Sequence, residues 1–138
     1  AYHQNLIKPG LFALNLNDGS VAWSFYTKAD CEGDRRTRMP QCARLFGLSG
    51  APTVIGDYVV SGGLDGMLYV LDKKTGALKW KFDTAQKFQG VNGVEGNGGS
   101  IDAASIIATD GLLIMNSGYG MFGQAPGNVM IAFRPKKG

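Results

Sequence analysis

The chain has 138 residues, of which 44% are hydrophobic and 18% are charged, and its formal net charge at pH 7 is +3. So small a charge does not indicate a nucleic-acid partner, and no run of about 18 apolar residues predicts a membrane-spanning helix. The 21 glycines are about twice the usual share of ~7%, which favours an all-β chain that turns every few residues.

The first predicted elements are two short strands, at about residues 10–16 and 20–26, joined by a turn at Asp18 and Gly19. In the second strand Trp23 lies on the same face as Val21 and Phe25, an alternation typical of an antiparallel strand with one buried side. Because two strands do not make a complete sheet, residues 1–27 are assigned to a partial structural unit.

Residues 28–48 form an insertion that holds both cysteines of the chain, Cys31 and Cys42. The pair lacks C-x-x-C spacing and the chain has a single histidine, His3, so a zinc site with three or four ligands is not indicated. The excess positive charge is concentrated in this insertion, at Arg35, Arg36, Arg38 and Arg44. Such a cluster is either a solvated loop or a docking surface for an acidic partner or an electron-acceptor protein.

Residues 49–84 contain one complete unit, with strands predicted at about residues 51–55, 57–63, 68–71 and 77–82. The last two strands repeat the first two of the chain, since Gly19 and Trp23 recur as Gly76 and Trp80, both 57 positions later. A unit that recurs at such a period is typical of propellers and solenoids. Four antiparallel strands joined by tight turns make one propeller blade.

Residues 85–138 fit the same template, with an inner strand at about 101–108, a second at 111–116 and a third at 127–133. Phe133 takes the place that Leu71 has in the complete blade, and no outer strand follows it. The sequence therefore predicts an all-β partial propeller of about two to three antiparallel, four-stranded blades. Its unpaired edges, near residues 11–16 and 129–133, should pair with the remaining blades of a larger protein or with another copy of the chain.

The stretch from Leu71 to Trp80 resembles the tryptophan-docking motif of pyrroloquinoline quinone (PQQ) propellers, and residues 14–23 match it with Asp18 in place of Thr. Other segments resemble the C-terminal region of polyvinyl-alcohol-dehydrogenase-like quinoproteins, namely residues 49–55, 82–86, 91–94, 98–102, 116–120 and 126–129. The resemblance covers nearly the whole chain. It implies that four motif residues pack adjacent blades together, with both tryptophans buried: Gly19, Trp23, Gly76 and Trp80.

The same resemblance implies that the intact protein oxidises alcohol groups with PQQ and Ca²⁺ and passes the electrons to an external carrier. It also implies a periplasmic or secreted location, where Cys31 and Cys42 would form a disulfide. Two unlinked thiols in a mobile loop are the alternative. Non-catalytic propellers, among them outer-membrane assembly scaffolds, share the docking motif, so a protein-binding or assembly role is the second class of function.

Ligands of propellers sit over the central channel, where the inner strands begin, and this position makes Asp102 the candidate catalytic carboxylate. Three roles are open to Asp102: a general base, a Ca²⁺ ligand, or a turn residue that bonds to the backbone. The candidate cofactor-binding residues are Ser49, Asn92, Ser100 and Asn116, although both asparagines also suit turns or strand ends. A partial ring of contacts predicts no tightly bound cofactor in the isolated chain.

Overall fold

The structure, a computed structural model, describes residues 8–135, so that His3 and the last three residues lie outside it. The described residues form eleven strands and one helical turn. In chain order these are β1 (Gly10–Leu14), β2 (Val21–Tyr26), α1 (Arg35–Arg38), β3 (Thr53–Ile55), β4 (Tyr58–Gly62), β5 (Met67–Asp72), β6 (Leu78–Asp83), β7 (Lys87–Gln89), β8 (Glu95–Asn97), β9 (Ile106–Thr109), β10 (Leu112–Ser117) and β11 (Val129–Phe133).

The central sheet has four antiparallel strands in the order β3-β4-β5-β6 and is the complete blade. Its last turn shows how the local sequence sets the strand order. Asp72 accepts hydrogen bonds on Oδ1 from the backbone N–H groups of Lys74 and Thr75, at 2.9 and 3.0 Å. Gly76 then takes a φ of +70°, which glycine adopts without a side-chain clash. The chain thereby reverses within a few residues and β6 pairs with β5.

Incomplete sheets lie on both sides of the complete blade. On one side β1 and β2 pair alone, with Leu11 opposite Phe25 and Ala13 opposite Trp23. On the other side β9, β10 and β11 form a three-stranded sheet in the order β11-β10-β9. All pairings are antiparallel, and the prediction of an all-β partial propeller is confirmed.

Apolar side chains fill both junctions between the sheets. Between the complete blade and the three-stranded sheet, the buried residues are Val60, Leu68, Ile101, Ile106 and Met115. At the other junction Met67, Tyr69 and Leu71 of β5 pack against residues of the first sheet, among them Trp23 and Phe25. These faces are buried because β5 contributes alternate residues to the two sides of its sheet.

Three segments differ from the sequence-based prediction. The insertion contains the helical turn α1, and the connection after β6 contains a small hairpin made of β7 and β8. The predicted inner strand at 101–108 is shortened to β9. Its first residues are diverted because the Ile101 N–H bonds to the carbonyl of Gly63 at 3.0 Å and Ala103 takes a φ of +57°.

The two motif tryptophans have different environments, and the expectation that both are buried is wrong, because Trp23 is half-buried and Trp80 is 41% exposed. The Trp23 ring lies over Gly76, and its Nε1 donates a hydrogen bond to the carbonyl of Lys73 at 2.9 Å. In the part of the chain that the structure describes, the Trp80 ring contacts Phe82 and Phe133, and no glycine turn lies against it as Gly76 lies against Trp23. Within residues 8–135, no helix is long and apolar enough to cross a membrane.

Candidate functional site

Three connections meet at one edge of the complete blade: the segment after β6, the connection before β9 and the loop between β10 and β11. We call this edge, which carries the turn between β4 and β5 and the end of β6, the upper edge. The N–H of Thr84, directly after β6, bonds to the carbonyl of Gly66 in that turn at 2.9 Å. The N–H of Ser100 bonds to the carbonyl of Ala125 at 2.9 Å. The connection before β9 and the loop between β10 and β11 are thereby held on the upper edge.

Three buried hydroxyl groups join these connections. Thr84, Ser100 and Ser117 have almost no exposed surface. The hydroxyls of Thr84 and Ser117 lie 2.7 Å apart, and the Gly99 N–H donates to Ser117 Oγ at 2.9 Å. Ser100 Oγ accepts the Ala125 N–H at 2.9 Å. Because buried polar groups without partners are costly, these hydroxyls fix the backbone immediately before Asp102.

Asp102 is half-buried at the entrance to β9. Its Oδ1 accepts the N–H of Ala103 at 2.7 Å, and its Oδ2 accepts a hydrogen bond from Gln124 Nε2 at 3.1 Å. The first contact is the one expected of a turn residue that bonds to the backbone. Each carboxylate oxygen retains a second lone pair that can accept a hydrogen bond from another donor.

Gln124 connects this carboxylate to the loop between β10 and β11. While its Nε2 donates to Asp102, its Oε1 accepts the backbone N–H of Phe122 at 2.6 Å. The apex of the loop is apolar and open to solvent, with Met121 71% and Phe122 80% exposed. Tyr119 lies beside Met121, with its hydroxyl 3.8 Å from the thioether sulfur. One amide group therefore links a carboxylate to an exposed apolar loop.

The predicted cofactor-binding residues are spread over the structure. Ser49 is exposed, and the residue after it, Gly50, closely approaches the carbonyl of Ala103. Ser100 is fully buried, and its hydroxyl is bonded within the protein. Asn92 is exposed in the β7–β8 turn, where its Oδ1 accepts the Val94 N–H at 3.1 Å. Asn116 is exposed inside β10, opposite Met130.

The insertion packs against the upper edge, and a disulfide closes its loop. Cys31 and Cys42 are joined by a disulfide, with their Cα atoms 5.5 Å apart. Cys42 and Met39 are buried against Ala85 and Ala125, which belong to the two upper-edge connections. The unlinked-thiol alternative is therefore not what the structure shows, and the insertion packs on the blade.

A buried ion-pair network reinforces this attachment. Arg35 has 4% of its surface exposed, and its Nη2 lies 2.9 Å from Oδ2 of the fully buried Asp65. The same guanidinium also pairs with Asp83, and Arg38 Nη2 lies 3.0 Å from the other oxygen of Asp83. Two arginines of the predicted charge cluster are thus engaged inside the chain. Arg36 and Arg44 are exposed and are the members that face solvent.

Burial and charge act in opposite directions on the carboxyl groups of this network. Burial acts to raise the pKa of Asp83, but the hydrogen bond and charge of Arg35 outweigh it and hold that pKa below its ordinary value. For Asp65 burial prevails, and its pKa is raised despite the N–H of Met67 and the charge of Arg35. Burial likewise raises the pKa of the neighbouring Tyr69 hydroxyl.

The described residues do not form a complete Ca²⁺ site. Within residues 8–135 no three His, Cys, Asp or Glu side chains are grouped so that they can share a metal ion, whereas Ca²⁺ takes six to eight oxygen ligands. Asp65 is committed to Arg35. For a quinone, the chain offers one carboxylate, one amide and an exposed apolar loop on the upper edge. These groups fit one side of such a site.

An apolar cavity of about 770 Å³ opens at the opposite edge of the sheets. Its walls are formed by Ile55, Val70, Trp80, Leu112, Leu113 and Phe133. The Trp80 ring stands edge-on to Phe133, with ring centroids 5.3 Å apart. None of the candidate catalytic or cofactor-binding residues lines this cavity, whereas the docking-motif residue Trp80 does.

The sequence did not single out Gln124, or Asp65 and Asp83 as partners of Arg35. Asp65 lies between the strands predicted at 57–63 and 68–71, and Asp83 follows the strand predicted at 77–82. Nothing in their spacing connects them with Arg35, which is 30 residues from Asp65. Gln124 carries no local signal, because it lies in an irregular loop and its partner is on another connection.

Comparisons with known proteins agree with this architecture. Polyvinylalcohol dehydrogenase from Sphingopyxis sp. (strain 113P3) is 34% identical over 113 residues, which are 81% of this chain and 17% of that protein. Polyvinylalcohol dehydrogenase from Pseudomonas sp. is 29% identical over 136 residues, 91% of this chain and 20% of that protein. The chain thus spans about one fifth of the length of these curated relatives.

A solved structure and a family profile point to the same fold. The crystal structure of BamB from Moraxella catarrhalis matches with a TM-score of 0.53 and 22% identity, over 80% of this chain and 29% of that one. The profile of the PQQ_2 family, described as outer membrane protein assembly factor BamB, matches residues 8–138. Because this match covers nearly the whole sequence, the chain belongs to the PQQ_2 family of PQQ-like β-propeller proteins.

Proposed function

We propose that this chain is part of a PQQ-dependent dehydrogenase that oxidises alcohol groups. The observation that carries the proposal is the similarity to two polyvinylalcohol dehydrogenases, which extends over 81% and 91% of the chain. The proposed substrates are secondary alcohols on an aliphatic chain, the class to which polyvinyl alcohol belongs. The electrons then pass to an external acceptor.

Oxidation of a secondary alcohol to a ketone removes two electrons and two protons. The quinone, when bound in the intact protein, supplies the two-electron acceptor. We assign to Asp102 the acceptance of the hydroxyl proton, because its carboxylate stands at an inner-strand entrance and keeps free lone pairs. Ser49 is proposed as a cofactor-binding residue because it is exposed and precedes Gly50, which packs against the segment that contains Asp102.

The other proposed cofactor residues have different positions. The buried Ser100 supports the backbone before Asp102, whereas Asn92 and Asn116 would contact a ligand only from the β7–β8 hairpin and from β10. We propose PQQ and Ca²⁺ as cofactors of the intact protein, with most Ca²⁺ ligands supplied by residues outside 8–135. A periplasmic or secreted location is proposed as well, since the Cys31–Cys42 disulfide suits an oxidising compartment.

The test uses the full-length protein reconstituted with PQQ and Ca²⁺. We expect PQQ-dependent dye reduction with secondary alcohols, and we expect Asp102→Asn to lower turnover by about 10²-fold or more, the range of general acid–base catalysis. Its melting temperature should stay close to that of the wild type. The matched control is Asp110→Asn, an exposed turn residue. A variant that melts earlier and turns over normally would show a purely structural Asp102.

The isolated 138-residue chain provides a second arm of this test. Its upper edge offers one side of a quinone site, and an open, partial pocket binds weakly. We expect no PQQ-dependent dye reduction from the isolated chain, even with Ca²⁺ supplied. Calorimetry that detects micromolar PQQ binding by this chain would contradict that expectation.

A non-catalytic role in protein binding or assembly is the second candidate. It is favoured by the family description, which names an outer membrane protein assembly factor, and by the BamB fold match. In that case the exposed Arg36 and Arg44 would contact an acidic partner. An intact protein that oxidises no alcohol after reconstitution, but retains a partner in a salt-sensitive complex, would favour this role.

A further inference from the structure

The side chain of Asp102 is held from two directions. Its backbone is fixed by neighbours on the buried side, since Ile101 has no exposed surface and bonds through its N–H to Gly63. Its carboxylate is then oriented by the N–H of Ala103 on Oδ1 and by Gln124 on Oδ2. The first contact is local to the turn. The second comes from a different loop and is the one that can vary independently of the turn.

Gln124 is itself fixed at both ends. The next residue, Ala125, is buried and its N–H bonds to Ser100 Oγ at 2.9 Å. The amide oxygen of Gln124 holds the backbone N–H of Phe122. The amide group therefore has one orientation in which the oxygen meets an N–H and the nitrogen meets a carboxylate. Rotating the amide by 180° would place its oxygen against the Asp102 carboxylate and its NH₂ group against the Phe122 N–H.

We infer that Gln124 is a positioning residue for Asp102 that also ties the apolar loop apex, residues 119–122, to that carboxylate. The inference rests on the proposed function and deepens it. Gln124 does not touch the reacting alcohol. It sets the direction in which Asp102 Oδ2 presents its remaining lone pair, and it keeps the loop apex beside that oxygen while an aliphatic alcohol binds.

Two substitutions remove the hydrogen bond from Gln124 to Asp102. Gln124→Met keeps the length and volume of the side chain but removes both hydrogen bonds. Gln124→Glu keeps an oxygen to accept the Phe122 N–H but no longer donates to Asp102. The matched control is Gln89→Met, a change at an exposed glutamine of β7. All variants are made in the full-length protein.

Kinetics of alcohol oxidation by the reconstituted protein give the first readout. We expect kcat to fall about tenfold in both Gln124 variants, with KM within about twofold of the wild type, because a misdirected base affects the chemical step more than binding. Gln89→Met should leave both constants unchanged. An active wild type with unchanged kcat in both Gln124 variants would overturn the inference alone. An inactive wild type would overturn the proposed function first.

Limited proteolysis of the cofactor-free protein gives a readout that does not depend on activity. Chymotrypsin cleaves after aromatic residues such as Tyr119 and Phe122, and cleavage reports local opening of the loop. We expect cleavage to be several-fold faster than in wild type in both Gln124→Met and Gln124→Glu, because each variant loses the hydrogen bond to Asp102 that ties the loop. Equal cleavage of Gln124→Met and wild type would show that Gln124 does not tether the loop.

Discussion

At the scale of single residues, two glycines with the same backbone conformation have different surroundings. Gly19 and Gly76 occupy equivalent turns and have φ values of +71° and +70°. A Cβ on Gly19 would meet no atom within 4 Å, whereas a Cβ on Gly76 would lie 2.5 Å from the ring of Trp23. Turn geometry therefore requires glycine at both positions, and close packing of a tryptophan requires it only at Gly76.

We predict that Gly76→Ala destabilises the 138-residue chain more than Gly19→Ala, by about 1–3 kcal/mol, the usual cost of overpacking. Both substitutions carry the same penalty for a side chain at positive φ. Their difference therefore isolates the contact with Trp23. Urea unfolding followed by tryptophan fluorescence measures it, and equal destabilisation by the two variants would show that this contact contributes little.

Asp83 gives a prediction about pH. Its pKa is lower in the folded protein than the ordinary value of about 3.9, so its stabilising effect is complete above that value. The effect is lost as the pH falls from about 4 through the lower folded pKa. Asp65, whose pKa is raised, contributes to the pH dependence of stability with the opposite sign. Because Asp65 is present in the wild type and in both Asp83→Asn and Asp110→Asn, a comparison between them reports on Asp83.

We therefore expect the free energy of unfolding of Asp83→Asn to be lower than that of the wild type near neutral pH and to vary less between pH 4 and pH 2. Asp110→Asn, which removes an exposed carboxyl group, should follow the wild-type profile. Unfolding by urea at a series of pH values measures both. Parallel profiles for Asp83→Asn and the wild type would contradict the assignment.

At the scale of elements, the insertion is an integral part of the upper edge. A disulfide that closes a loop of this length contributes on the order of 2–3 kcal/mol. The helical turn α1 places Arg35 toward the blade, where it meets Asp65 and Asp83. Its sequence neighbour Arg36 remains exposed. One turn of helix thus sorts adjacent arginines into a buried ion pair and a solvent-facing charge.

We predict that Arg35→Met destabilises the intact protein by about 3–5 kcal/mol, because it leaves a buried carboxylate without its cation. Arg36→Met, the same change one residue later, should stay within about 0.5 kcal/mol of the wild type. Thermal melting under oxidising conditions compares them. A similar loss of stability in both variants would show that the positive charge of the insertion matters, and not the specific ion pairs of Arg35.

At the scale of the whole molecule, the chain has one complete blade and two incomplete ones. In the described part of the chain, β11 pairs with β10 on one side only, and Met130 on this strand is 73% exposed. Unpaired strand edges and exposed apolar side chains favour association with another strand. The apolar cavity beside Trp80 adds to the surface that a neighbouring blade would cover.

We predict that the isolated 138-residue chain self-associates through this edge. The double variant Met130→Lys/Ala132→Lys, which charges the exposed positions of β11, should shift it toward the monomer. Met121→Lys, at a similarly exposed methionine in the loop between β10 and β11, is the matched control and should leave the mass unchanged. Light scattering over a range of concentrations measures the mass. A wild-type chain that stays monomeric at high concentration would contradict the prediction.

The sequence by itself determined the architecture. The repeat of Gly19 and Trp23 as Gly76 and Trp80, the alternation along β6 and the Asp72 turn are all encoded by near neighbours, so that strand order and antiparallel pairing follow from local chemistry. The position of Asp102 at an inner-strand entrance also followed from the repeat. Strand ends were less well predicted, since the start of β9 is set by bonds to other loops.

Tertiary structure alone decided which side chains meet. The pairing of Arg35 with Asp65 and the contact of Gln124 with Asp102 both join groups that are 22 or more residues apart in the chain. The physical reason is that hydrogen bonds and ion pairs require positions within a few ångströms. Spacing along the chain specifies such positions only within one turn or one pair of strands.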